Sequence, residues 1–128
     1  MGTFTYKGGS AYHRSVEQNL MPTAAAYEYA NGYFGKSGSS TGSRTRNISS
    51  QNNLETAKDF YNKISYGGIE HSYDNGNRKI SHMADGTIIT MRQISSSDGT
   101  PVVEINISSS THTGGIKKQK IHFVTEES

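Results

Sequence analysis

Cysteine and tryptophan are absent from the 128-residue chain, and proline occurs only twice. Without a thiol there is no disulfide framework, no cysteine nucleophile and no zinc site with a Cys ligand. The redox compartment stays open, because a thiol-free chain folds equally well inside or outside a cell. Apolar residues are scarce, 31% of the chain, and nowhere approach the roughly 18–20 consecutive positions that span a bilayer. The start, Met1-Gly2-Thr3-Phe4-Thr5, has no charged segment leading into an apolar run, so neither membrane insertion nor a signal peptide is expected. A large excess of one charge is missing as well. Thirteen Lys and Arg against eleven Asp and Glu leave +2, which neither demands nor forbids an anionic partner.

What the chain does hold is 14 Gly, 8 Tyr and abundant Ser, Thr and Asn, a composition suited to one small, loop-rich domain containing β-structure. Two domains would each lack a core. No internal repeat is evident. Residues 35–50 (GKSGSSTGSRTRNISS) contain one strongly apolar side chain, Ile48, too little burial to offset the entropy of ordering, so this stretch reads as a linker or irregular flap. The expected division is therefore a connecting segment over residues 1–50, partly helical or disordered, and a folded domain over residues 51–128. Residues 16–20 and 23–30 are candidate short helices within the first part, the second started by Pro22 and stopped by Gly32.

Residues 52–65 form the clearest helix: Leu54, Ala57, Tyr61 and Ile64 recur at helical spacing, Asn52 and Glu55 resemble a capping box, and Gly67-Gly68 follows. Beyond it the period changes to two. Residues 78–83, 87–94, 101–107 and 117–124 are candidate strands separated by Asp85-Gly86, by the Ser95–Thr100 loop and by Thr113-Gly114-Gly115. The expected fold class is α+β, one helix packed on one face of a four-stranded antiparallel sheet, with an irregular or partly helical N-terminal segment. Alternation sends Ile89, Met91, Val103, Ile105, Ile107, Ile121 and Phe123 toward the helix and leaves Arg92, Glu104, Asn106, Lys118, Lys120 and His122 on the open face.

A wet sheet face ordinarily carries polar residues and a few ion pairs. This one gathers a carboxylate, an imidazole and three cations, the inventory of a metal-free ribonuclease. One of Glu104 and His122 takes the 2′-hydroxyl proton, the other protonates the leaving 5′ oxygen, and a cation stabilises the charge that develops on phosphorus. An ordinary imidazole titrates near neutral pH, which makes His122 the leading acid or base. Arg92 can grip a phosphate bidentately and is the candidate clamp; Lys118 and Lys120 are candidate backbone contacts. Ser96, Ser97 and Asp98 could offer hydroxyls and N–H groups to a phosphate, although SSSDG is equally a plain hairpin loop. No Gly-x-Ser-x-Gly or P-loop occurs, and the five histidines show no metal-ligand spacing, so neither metal nor cofactor is expected. Asp74-Asn75-Gly76-Asn77 lacks the glutamate of a calcium loop and reads as a turn.

Residues 54–124, above all DGTIITMRQISSSDGTPVVEINI followed by GIKKQKIHFV, resemble the C-terminal toxin modules of bacterial polymorphic toxins delivered by contact-dependent or type VII (LXG-type) systems. The resemblance covers a little over half of the chain. It implies a small endoribonuclease of barnase/RelE-like fold, secreted as part of a larger toxin, acting in the target-cell cytoplasm and neutralised by a cognate immunity protein. The matching positions are Arg92, Ser96, Ser97, Asp98, Glu104, Asn106, Lys118, Gln119, Lys120 and His122. Gln119 departs from the open-face parity, and Met91 stands where the pattern often carries a base-stacking tyrosine. RNA and the immunity protein are thus the expected partners, with no membrane role and a monomer or a heterodimer with the inhibitor as the expected state. The alternatives are a metal-dependent DNase toxin and a non-catalytic module that binds RNA or another anion.

Overall fold

The computed structural model describes residues 14–38, 44–94, 99–107 and 114–125, and the backbone of residues 3–6. Its elements in chain order are β1 (Thr3–Tyr6), α1 (Leu20–Ala26), β2 (Tyr29–Ala30), β3 (Tyr33–Phe34), β4 (Lys36–Ser37), β5 (Thr45–Ser50), α2 (Asn53–Ile64), β6 (Ile69–Tyr73), β7 (Arg78–His82), β8 (Ile88–Arg92), β9 (Val102–Asn106) and β10 (Gln119–Thr125). A 3-10 turn, Asp74–Gly76, closes the β6–β7 hairpin, with Asp74 and Asn75 both at positive φ. Short polar side chains tolerate that backbone better than branched ones do.

The expected fold class is overturned. Eight strands, not four, form the main sheet in the order β1-β6-β7-β8-β9-β10-β5-β4, and β2 and β3 make a separate two-stranded ribbon. The main sheet is mixed, because β10 pairs with β5 in parallel while its other neighbours are antiparallel. The N-terminal residues that were expected to be irregular supply β1, β4 and β5. β5 needs little hydrophobicity because β10 offers it a complete edge to bond: Ile48 pairs with Phe123 and packs against the core, and the Arg46 guanidinium bonds the carbonyls of Phe34 (3.1 Å) and Gly35 (2.8 Å). Gly35 is required at this approach. Its φ is +71°, and a Cβ there would collide with the Asn47 carbonyl oxygen.

α2 covers one face of the sheet, packing against β10, β8, β5 and β9. Ala57, Phe60, Tyr61 and Ile64 form its buried stripe, at the spacing an amphipathic helix requires. Ile89, Met91, Val103, Ile105, Ile121 and Phe123 rise from the sheet to meet it, and Ile107 packs at the margin. The Tyr61 hydroxyl shares a buried 2.6 Å hydrogen bond with Ser81 on β7, and burial pushes its pKa up. Asn52 stands at the helix N-cap without a side-chain capping bond, so the capping box suggested by Asn52 and Glu55 does not form.

The residues before α2 are tied to the rest by apolar packing, with Val16 and Phe34 fully buried, and by a set of specific polar bonds. The buried Asn19 amide donates to the carbonyls of Ile64, the last residue of α2, and of Tyr66 just beyond it (both 2.9 Å), and the Val16 N–H donates to Asp85 (3.1 Å). Gln119, 1% exposed on the helix side of β10, accepts from the Phe34 N–H (2.8 Å) and donates to the carbonyls of Gly32 (2.9 Å) and Lys117 (2.6 Å). These bonds fasten the β2–β3 ribbon to the sheet. Gln119→Leu keeps the volume and strands these partners. It is expected to lower stability by about 1–3 kcal/mol in urea unfolding, and a loss under about 0.5 kcal/mol would contradict the fastening role.

Candidate active site on the open sheet face

Register converts the shared face into a specific arrangement. On β9, Val102 pairs with Arg92 of β8 on one side and with His122 of β10 on the other. Glu104, two residues along, pairs with Thr90 and Lys120. Arg92 and His122 therefore stand across one intervening strand, with Cα atoms roughly 9–10 Å apart by ordinary strand spacing. Glu104 is the diagonal neighbour of both, at roughly 7–8 Å. Val102, the floor between the guanidinium and the imidazole, is only 2% exposed. The Thr100 hydroxyl lies 3.2 Å from His122 Nδ1, and the Phe123 N–H donates to the Pro101 carbonyl (2.9 Å), so the strand entry carrying Thr100 is bonded to β10.

The structure thus brings Arg92, Glu104, Lys120 and His122 together, all partly accessible to solvent. Asn106 shares the face but sits at the far end of β9, exposed and opposite Ile88, two residues along the same strand from Glu104. Lys118 is exposed and precedes β10 rather than lying within it. Ser96, Ser97 and Asp98 lie outside the described residues.

Three neighbours were not anticipated. Asn47 of β5 pairs with His122, Thr100 approaches the imidazole, and Arg78 of β7 pairs with Arg92. Asn47 falls in a stretch that reads as linker, so nothing local marked it as strand. Arg78 does lie in a segment whose period-two pattern is visible, and its parity with Ile80 and His82 was the available signal; only register shows which residue it faces. Farther along the same face, His71 and Tyr73 of β6 join His82 of β7, with ring centroids 6.5 Å apart for His71–Tyr73 and 5.7 Å for His71–His82.

The resolved pKa shifts lie on the helix side. The Tyr27 phenol is raised by burial and by its hydrogen bond to Asp59, and that same bond holds the Asp59 carboxyl below the usual range, with Lys63 assisting at 3.1 Å. This network braces α1 against α2. Two clefts elsewhere, of about 510 Å³ beside Tyr27 and Lys36 and about 380 Å³ beside Arg14 and Tyr66, have no histidine in their lining. Among the described residues no group of three or more His, Asp and Glu side chains is placed to hold a metal ion, and no helix is long and apolar enough to cross a membrane.

No family model, curated protein or solved structure matches the chain. The functional reading accordingly rests on the residues of the open face.

Proposed function

We propose that the chain is a metal-independent endoribonuclease, of the toxin type that its sequence resembles, and that it cleaves RNA on the open sheet face. The observation that carries this reading is the triangle of Arg92, Glu104 and His122 around Val102, held by strands that pair on both sides of β9. A phosphodiester seated over Val102 lies between a bidentate cation and an imidazole, with a carboxylate diagonal to each. Between them Glu104 and His122 supply base and acid. One removes the 2′-hydroxyl proton, the 2′ oxygen attacks phosphorus, and the bond to the 5′ oxygen breaks as the other group protonates it. The products are a 2′,3′-cyclic phosphate and a free 5′-hydroxyl. Arg92 and Lys120 offset the added negative charge at phosphorus, and Thr100 fixes the plane of the imidazole.

Incubation of the purified protein with total RNA in excess EDTA is expected to degrade the RNA. Intact RNA, or magnesium-dependent nicking of plasmid DNA that chelation abolishes, would contradict the reading. As a toxin of this type the protein would be met by an inhibitor presenting acidic side chains to Lys120 and Arg92, since complementary potential speeds association and covers the substrate face. Binding of that inhibitor unchanged by charge reversal at Lys120 would place the inhibitor elsewhere.

A further inference from the structure

Arg78 and Arg92 face one another in register on β7 and β8, on the same side of the sheet. Like charges directly opposite repel, and neither guanidinium has a carboxylate partner among the described residues. Arg78 is half-buried and its Nε is enclosed without any hydrogen-bond partner. A buried donor is normally satisfied, so this guanidinium is held in place at a cost, and with a second cation beside it the pair favours an anion that meets the more accessible parts of the two guanidiniums rather than the enclosed Nε itself. Arg78 also has a fixed posture: its guanidinium carbon lies 4.8 Å from the centre of the Tyr73 ring, the register neighbour on β6, and the His71 ring lies nearly parallel to that of Tyr73 with centroids 6.5 Å apart.

We infer that the Arg78–Arg92 pair is a second phosphate subsite for single-stranded RNA, and that Tyr73 with His71 is the platform for the adjoining base. The inference rests on the reading of the open face as an RNA site and extends it along one direction. From the position over Val102 to the midpoint between β7 and β8 is about one and a half strand spacings, roughly 7 Å, close to the reach of one nucleotide of extended backbone. The strand of RNA would then run across the sheet from β10 toward β6. Arg92 would touch both phosphates, Arg78 the second one alone, and the next base would lie on Tyr73, as aromatic platforms hold bases without regard to sequence. A double helix cannot lie so flat over half-buried side chains with its bases turned outward, whereas an unpaired strand can.

The test uses a fluorescent oligonucleotide carrying 2′-O-methyl groups throughout, so that binding is read without cleavage, with anisotropy measured over a salt series. Arg78→Ala is expected to weaken binding of a tetranucleotide about tenfold and to lower the salt slope by about one. Tyr73→Leu is expected to weaken it by a comparable factor with the slope unchanged, since a base stack and not a charge is lost. Arg78→Lys should restore the slope, and Lys63→Ala, on the helix side, should change neither quantity. Thermal melts establish that each variant is folded. Tetranucleotide binding unchanged in both folded Arg78→Ala and Tyr73→Leu would overturn the subsite. So would selective binding of poly-glutamate over the oligonucleotide with the same Arg78 dependence, which would make the face a protein-binding surface. Binding with the expected pattern by a protein that leaves natural RNA intact would sustain the subsite and reject the ribonuclease reading alone.

Discussion

His122→Ala is expected to lower the rate of RNA cleavage in EDTA by about 10²–10⁴, the range associated with loss of one general acid or base. The substitution removes a side chain on the open face that packs into no apolar cluster, so folding should survive it and the loss should appear in turnover rather than in the amount of native protein. Glu104→Gln should produce a loss of the same order. The double variant should be little worse than either single one if the two groups act on one proton transfer sequence, because residues working as a unit are non-additive. Full activity in folded His122→Ala would remove the imidazole from the chemistry. Losses that multiply would show that Glu104 and His122 act in separate steps.

The largest expected effect on stability is at Phe60. Its side chain is fully buried at the point where the helix, the β2–β3 ribbon and the sheet meet, with ring centroids 5.3 Å from Tyr27, 5.0 Å from Phe34 and 5.7 Å from Phe123. Phe60→Ala leaves a cavity that three rings on separate elements cannot all collapse to fill, and a loss of about 3–5 kcal/mol is expected. Against the roughly 5–15 kcal/mol that holds a typical domain together, this leaves a marginally folded protein. Urea unfolding is the measurement. A loss near 1 kcal/mol would mean that the ribbon and α1 pack independently of the core, and the first part of the chain would then contribute little to the fold.

Much of the candidate site was legible because it depends on parity. Ile89 and Met91, Val103 and Ile105, Ile121 and Phe123 alternate with polar residues so regularly that the buried face, and hence the placement of Arg92, Glu104 and His122 opposite to it, follows from period two. The breadth of the sheet was not legible. β6 reads Ile69-Glu70-His71-Ser72-Tyr73, where polar groups fall on both faces and the apolar alternation that announces a strand is blurred. β5 reads Thr-Arg-Asn-Ile-Ser-Ser, and its place beside β10 comes from a parallel pairing between parts of the chain far apart in sequence. Backbone pairing of that kind leaves no periodic trace when the strand lies near a sheet edge and keeps one side in water. The same limit explains Arg78: its strand was visible, and its partner Arg92 was also visible, but register across a hairpin is set by the loop at residues 83–87 and cannot be counted from either strand alone.

Cleavage of a synthetic RNA strand compared with the same strand bearing one 2′-deoxy nucleotide, in EDTA and with analysis of the product ends, tests the central claim most directly. The account predicts 2′,3′-cyclic phosphate and 5′-hydroxyl ends from the all-RNA strand and no cut on the 3′ side of the deoxy position. Cleavage there at an undiminished rate would mean that the 2′-hydroxyl is not the nucleophile, and the acid–base roles assigned to Glu104 and His122 would be wrong.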